Sequence, residues 1–181
     1  MKVCRKTLLI IGIVSILGFI VTWDISDRYL IYSRVIPEKE INEFHYYQTF
    51  EKQKKAYEKN YENPEWNFPK EKTETVKLYE NKFLISRITS KTLSEKNKTE
   101  IIDFLNNPEN FDWSETTWSL NEAEYILRFY NSENKEIGKI WLCVDGCGMT
   151  KSIPFSPNMK FGGLSKRGRI IIKNIMQEID I

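Results

Sequence analysis

Seventeen consecutive residues without a charge, Thr7–Trp23 (TLLIIGIVSILGFIVTW), constrain this chain more than any other feature. As a helix rising about 1.5 Å per residue, the run spans roughly 25 Å, the short end of what a bilayer core requires. Trp23 ends it and Tyr29 and Tyr32 follow, placed where amphipathic rings favour a membrane interface. Four fates compete for such a run. A buried core helix would need apolar cover on every side. A cleaved signal peptide needs small residues at its exit, and Ile20-Val-Thr-Trp-Asp-Ile25 offers no such site. A lipoprotein signal needs its cysteine after the run, and Cys4 precedes it. The reading that remains is an uncleaved signal anchor, with the membrane as partner through residues 7–23.

Flanking charge sets the expected orientation. Lys2, Arg5 and Lys6 crowd the amino side, whereas Arg28 and Arg34 lie farther from the run on the other. The positive-inside rule then places the N-terminus in the cytoplasm and the rest of the chain outside it, in a periplasm or the extracellular space. The same three residues account for the net charge. The chain holds 27 Lys and Arg against 25 Asp and Glu, and no acid precedes Asp24, so residues 24–181 hold 24 bases and 25 acids. The isoelectric point of about 8.3 therefore belongs to the tip. A body at −1 gives no reason to expect a nucleic-acid partner. A mean hydropathy of −0.47 excludes several membrane spans.

Beyond the anchor the chain divides into a juxtamembrane stretch, 24–72, and a body, 73–181. Pro37 opens a polar helix over about 38–61, with Ile41, Phe44, Tyr47, Phe50 and Tyr57 at loose helical spacing. Asn63-Pro64 to Pro69 ends it and marks a linker. Alternation then predicts strands at Thr73–Tyr79 and Lys82–Thr89, separated by an Glu80-Asn81 turn. Ser94 caps a helix over Glu95–Asn106, which turns Ile101, Ile102 and Leu105 inward and stops at Asn107-Pro108. Phe111, Trp113 and Trp118 fall in a long acidic loop. Tyr125–Tyr130, Ile137–Val144 and Cys147–Ile153 read as an antiparallel meander. Ser165 caps a last helix, Lys166–Ile179, with Ile171, Ile172, Ile175 and Ile179 as its stripe. The order β-β-α-β-β-β-α after the anchor and polar helix predicts an α+β fold with a mainly antiparallel sheet.

Three cysteines and one histidine exclude most structural zinc sites and leave little room for Ser-His or Cys-His chemistry. No metal and no cofactor is expected. Cys143-Val-Asp-Gly-Cys147 is the sharpest local feature. A two-residue Asp-Gly turn sends the two sulfurs to opposite faces. A three-residue loop, with Gly146 left-handed, sets Cys143 opposite Cys147 within disulfide range. A location outside the cytoplasm favours the bridge; the alternatives are buried free thiols or a redox or metal role. The spacing is not that of a C-x-x-C redox motif.

Gly163, Ser165, Lys166, Arg167 and Arg169 place glycine, a cap and three cations at a helix start, where backbone N–H groups attract anions. The plainer reading is a tight turn ahead of a cap. Residues 107–136 are acidic and residues 146–177 basic, so they form either separate partner surfaces or neighbours that neutralise each other. Asp112, Glu115, Glu122 and Glu124 offer carboxylates for acid–base chemistry, as any acidic loop does. Trp113 and Trp118 could form a ligand platform, though packing is the commoner role. His45, among Phe44, Tyr46 and Tyr47, reads as an interfacial side chain. Asn97-Lys98-Thr99 matches a glycosylation sequon but falls within a helix. The abundance of Lys, Asn, Ile and Glu suggests an AT-rich bacterial genome.

The expectation is a membrane-anchored, non-enzymatic binding domain with a protein partner. An immunity-type protein that neutralises a toxin, and a cell-envelope hydrolase using the acidic loop, are the alternatives. Ligand, oligomeric state and biological process are not encoded in any motif.

Overall fold

The computed structural model describes residues 2–29, 66–112, 122–154, 156–160 and 162–179. The chain divides into two compact units, Met1–Ile31 and Tyr32–Ile181. The first is a single helix, α1 (Lys2–Tyr29). Within it Thr7–Ser26 has a mean hydropathy of 2.4 and is 6% buried, long and apolar enough to cross a membrane. Phe19 stacks on Trp23, one turn later, and Asp24 pairs with Arg28 at 2.7 Å just past the apolar run. Short-range pairing of that kind keeps both charges local to the helix end. The polar helix expected over 38–61, and His45 with it, lies outside the described residues.

The body is α+β. Its strands are β1 (Thr75–Glu80), β2 (Lys91–Thr92), β3 (Phe111–Asp112), β4 (Tyr125–Tyr130), β5 (Glu136–Cys143), β6 (Met149–Ile153) and β7 (Gly163–Leu164). They form one antiparallel sheet in the order β2-β1-β4-β5-β6-β7-β3. Two helices, α3 (Glu95–Asn106) and α4 (Lys166–Glu178), supply Ile101, Phe104, Leu105, Ile172, Ile175 and Met176 to the core. There they join Val76 and Leu78 of β1, Leu127 and Phe129 of β4, and Ile140 and Leu142 of β5. Alternation along each strand sends every second side chain to that face. Each fully buried aliphatic or aromatic side chain there contributes about 1.5–3 kcal/mol.

Both long helices begin where their caps predict. Ser94 Oγ accepts from Asn97 N, and Ser165 Oγ accepts from Gly168 N. Asn107 caps the end of α3 and Pro108 follows it into a 3₁₀ turn, Pro108–Asn110. The stripe on α4 differs slightly from expectation, with Met176 buried and Ile171 half-buried.

Four expectations are corrected. Lys82–Thr89 is not a strand: Leu84 adopts φ 58°, and Ile85–Ile88 closes one helical turn, α2. Ile88 N donates to Leu84 O and Thr89 N to Ile85 O, so these amides are satisfied locally and none pairs with β1. The partner of β1 is instead Lys91–Thr92. The apolar residues at 83, 84, 85 and 88 suit a turn of helix as well as a strand, and over so short a stretch periodicity cannot separate the two. Second, Phe111 leaves the acidic loop to pair with Leu164 as β3 and is 1% exposed. Third, Trp66 and Phe68 are not linker residues but are buried in the body. Asn106 clamps Phe68 through both backbone groups at 2.7 Å, and the Phe68 ring meets Phe129 edge-on at 5.0 Å. Fourth, β6 starts at Met149 rather than Cys147.

Candidate functional site

The fourth correction changes the cysteine hairpin. Cys143 pairs with Met149, so Val144–Gly148 forms the connection and neither of the two shorter closures occurs. Gly148 takes the left-handed backbone, φ 60°, that the tighter loop would have required of Gly146. A disulfide joins Cys143 and Cys147 across this loop, with Cα atoms 5.8 Å apart. Cys147 N also donates to Cys143 Sγ at 3.0 Å. The loop amides find their acceptor in Glu124, whose carboxylate receives Val144 N at 2.7 Å and Asp145 N at 3.2 Å. Burial, then the charges of Glu124 and Asp145, raise the neighbouring Tyr125 phenol above its ordinary 10.0.

The structure brings this hairpin against the start of α4, so two features about twenty residues apart in sequence form one surface. Leu164 N donates to Gly148 O. Arg169 donates to Cys147 O and Leu164 O, each at 3.4 Å, and its guanidinium fills the space a side chain on Gly148 would need. Lys173, one turn on, pairs with Asp145 at 2.8 Å.

The helix start holds partners from its own chain. Ser165 N donates to Asn110 O, and Ser165 Oγ donates to Glu109 O. The carboxylate of Glu109 pairs with Arg167. Gly168 permits this approach, because a Cβ there would lie 2.1 Å from Asn110 O. Gly163 is buried in β7, opposite Asp112 and Met149, while Lys166, Arg167 and Arg169 are exposed. An acid of the 107–136 segment thus meets a base of the 146–177 segment. Asp112 and Glu122 are exposed; Glu115, Trp113 and Trp118 lie outside the described residues. Thr99 of the sequon donates back to Glu95 O within α3.

Two further arrangements carry no signal in the linear sequence. The first is the sheet face opposite the helices. It bears Lys77, Arg128 and Lys139 among Tyr79, Tyr130 and Trp141, with cation–ring distances of 5.2, 5.1 and 5.5 Å. Glu136 joins Arg128 at 3.2 Å and Lys139 at 3.6 Å.

The second is a cleft of about 370 Å³ between α3 and α4. The helices run antiparallel, since Lys96 of α3 reaches Glu178 of α4 at one end and Asn110 meets Gly168 at the other. Phe104, Ile171 and Ile175 make an apolar floor, and Glu100, Asp103 and Glu178 supply carboxylates around it. Asn110, 2% exposed, also lines it. Its Nδ2 donates to Phe104 O, while its Oδ1 and Glu100 Oε2 are buried without hydrogen-bond partners. No three His, Cys, Asp or Glu side chains group closely enough for a metal ion among the described residues. The chain matches no protein-family model, no characterised protein sequence and no solved structure.

Proposed function

We propose that this chain is a single-pass membrane protein that displays its α+β body outside the cytoplasm as a non-enzymatic binding domain. The observation that carries the reading is α1, whose Thr7–Ser26 stretch leaves its apolar side chains exposed. Leaving Leu9, Ile16 and Phe19 at 66%, 62% and 68% exposure is costly in water and favourable in lipid. Lys2, Arg5 and Lys6 ahead of the run support a cytoplasmic N-terminus.

Of the acidic-loop carboxylates, Glu124 is engaged by two loop amides, which gives it a structural role. A reporter fused after Ile181 is expected to be active only on the outer side of the membrane. The full-length protein is expected to resist carbonate extraction. Recovery of a shortened, freely soluble form would replace the anchor by a cleaved signal. A reporter active in the cytoplasm would reverse the orientation.

A further inference from the structure

We infer that the apolar turn at residues 83–88 is a membrane-contact site, where the body rests on the surface of the phospholipid bilayer that α1 crosses. The inference rests on the anchor proposed for α1 and adds a second point of contact with the same bilayer. It begins with exposure. Among the described residues of the body, the large hydrophobic side chains left exposed are Phe83 at 48%, Ile85 at 38%, Ile88 at 75% and Ile170 at 63%. The first three fall within six consecutive residues. Single exposed apolar residues are ordinary on a soluble surface, but a cluster of them marks a contact.

The backbone of the turn is closed on itself. Ile85 N donates to Phe83 O, Ile88 N to Leu84 O and Thr89 N to Ile85 O, and Thr89 Oγ1 also donates to Ile85 O. A surface entering hydrocarbon finds no donors or acceptors there, so its polar groups must be met from within. A partner protein that added a strand would need the opposite, a row of open amides. Leu84 holds φ 58° in this closure, a left-handed backbone that is costly for a residue with a Cβ. Strain kept at a turn that presents Phe83, Ile85 and Ile88 to the outside points to a use for that surface.

Charge and tether select lipid as the occupant. Residues 81–94 hold Lys82, Arg87 and Lys91 and no acid. Lys82 and Lys91 are exposed; the first meets Glu80 at the surface, and the second donates to Ile179 O. An ammonium has three donors, so each retains some for a phosphate. Bases flanking an apolar cluster suit an interface, with the apolar groups at the acyl chains and the cations at the headgroups. Residues 30–65 join α1 to the body, and fully extended they would reach at most about 120–130 Å. The bilayer is therefore at high effective concentration for the turn, and a weak contact suffices.

The test uses the full-length protein with Cys4→Ser, reconstituted in vesicles of equal parts phosphatidylcholine and phosphatidylglycerol doped with a spin-labelled lipid. A nitrobenzoxadiazole probe is attached through Ile88→Cys or, for comparison, through Glu133→Cys on the exposed turn between β4 and β5. The Cys4→Ser parent measures labelling elsewhere. The probe at 88 is expected to be quenched by the spin-labelled lipid, and the probe at 133 to be unaffected. Phe83→Ser/Ile85→Ser, at two exposed side chains, should abolish the quenching at 88 while the protein still floats with the vesicles. Failure to float overturns the anchor, and this inference with it. Flotation with equal quenching at 88 and 133, or quenching at 88 that survives the double substitution, overturns this inference alone. A blue-shifted probe at 88 without lipid quenching would assign the turn to a second copy of the chain and overturn it as well.

Discussion

The two faces of the sheet are buried by different chemistry. On the helix side, Val76, Leu78, Leu127, Phe129, Ile140 and Leu142 meet the stripes of α3 and α4 with no charge between them. On the other side, Ile126, Trp141 and Ile153 are equally buried, yet Arg128 and Lys139 sit among them at 7% and 2% exposure. Burial on the first face follows from the hydrophobic effect alone. On the second it depends on each cation having company: Glu136 for both, the Tyr79 ring for Arg128 and the Trp141 ring for Lys139. The same alternation along β4 and β5 produces both faces, so strand periodicity does not by itself say which face is the core.

A pair of substitutions tests that contrast most strongly. Phe129→Ala removes a fully buried ring that contacts Phe68, and should cost about 3–5 kcal/mol. Lys139→Met keeps the length and apolar stem of the side chain. Glu136, left behind, retains Arg128 at 3.2 Å. The expected loss is below about 1 kcal/mol, because a well-packed apolar replacement commonly matches a buried ion pair. Denaturant unfolding followed by tryptophan fluorescence compares the two. Equal losses would mean that ion pairing holds the second face as firmly as packing holds the first.

The difference between the faces also explains what could be read from the sequence. The ends of α3 and the start of α4 were legible because caps are local: Ser94, Asn107-Pro108 and Ser165 act within a few residues of themselves. The β4–β5–β6 meander was legible because its apolar alternation is long. Lys82–Thr89 was not, because its hydrogen bonds are decided by Leu84 at positive φ, which nothing in the pattern announces. Phe68 looks like linker in the sequence because two prolines flank its neighbourhood, and its pocket is built by Asn106 and Phe129, 38 and 61 positions away. The cysteine loop was recognised, but its length was not, since that depends on where β6 begins to pair. The interhelical cleft was invisible for the same reason: Glu100 and Glu178 become neighbours only when α3 lies against α4.

Cys143 belongs to the cationic face, and its bridge to Cys147 closes the end of β5. Replacing both by Ser should lower stability by about 1–2 kcal/mol, less than bridges over long loops, because so short a loop has little closure entropy to lose. Thiol labelling of unfolded protein prepared without reductant should modify Cys4 alone. Full labelling of Cys143 and Cys147 would remove the bridge and leave the loop held by Glu124, Lys173 and Arg169.

On the helix side, Ser165→Ala deletes the cap of α4 and the hydroxyl that donates to Glu109 O. A loss of about 1 kcal/mol is expected. Amide exchange should rise at Gly168, whose N–H loses its acceptor, and should not rise along β4. No change at Gly168 would show that the start of α4 is held by the Glu109–Arg167 pair instead.

The smallest effect is a pH dependence on the cationic face. Tyr130 is half-buried, and burial raises its phenol first, with the hydrogen bond and charge of Tyr79 and the charge of Glu136 adding to it. Arg128 opposes the shift, and Lys77 lies over the ring. In the unfolded chain Tyr130 releases its proton near the ordinary 10.0, while the folded protein still holds it. The unfolded state therefore binds fewer protons above pH 10, and stability falls as pH rises from there toward the folded value. Below pH 10 both states are protonated and this contribution is fully present. Tyr130→Phe should leave the stability at neutral pH within about 0.5–1.5 kcal/mol, the worth of one hydrogen bond, and should flatten the alkaline decline. Phenolate absorbance during an alkaline titration should lose its latest component in the variant. An unchanged decline would mean that the phenol reaches water, and that the second face is less dry than Trp141 and Ile126 make it.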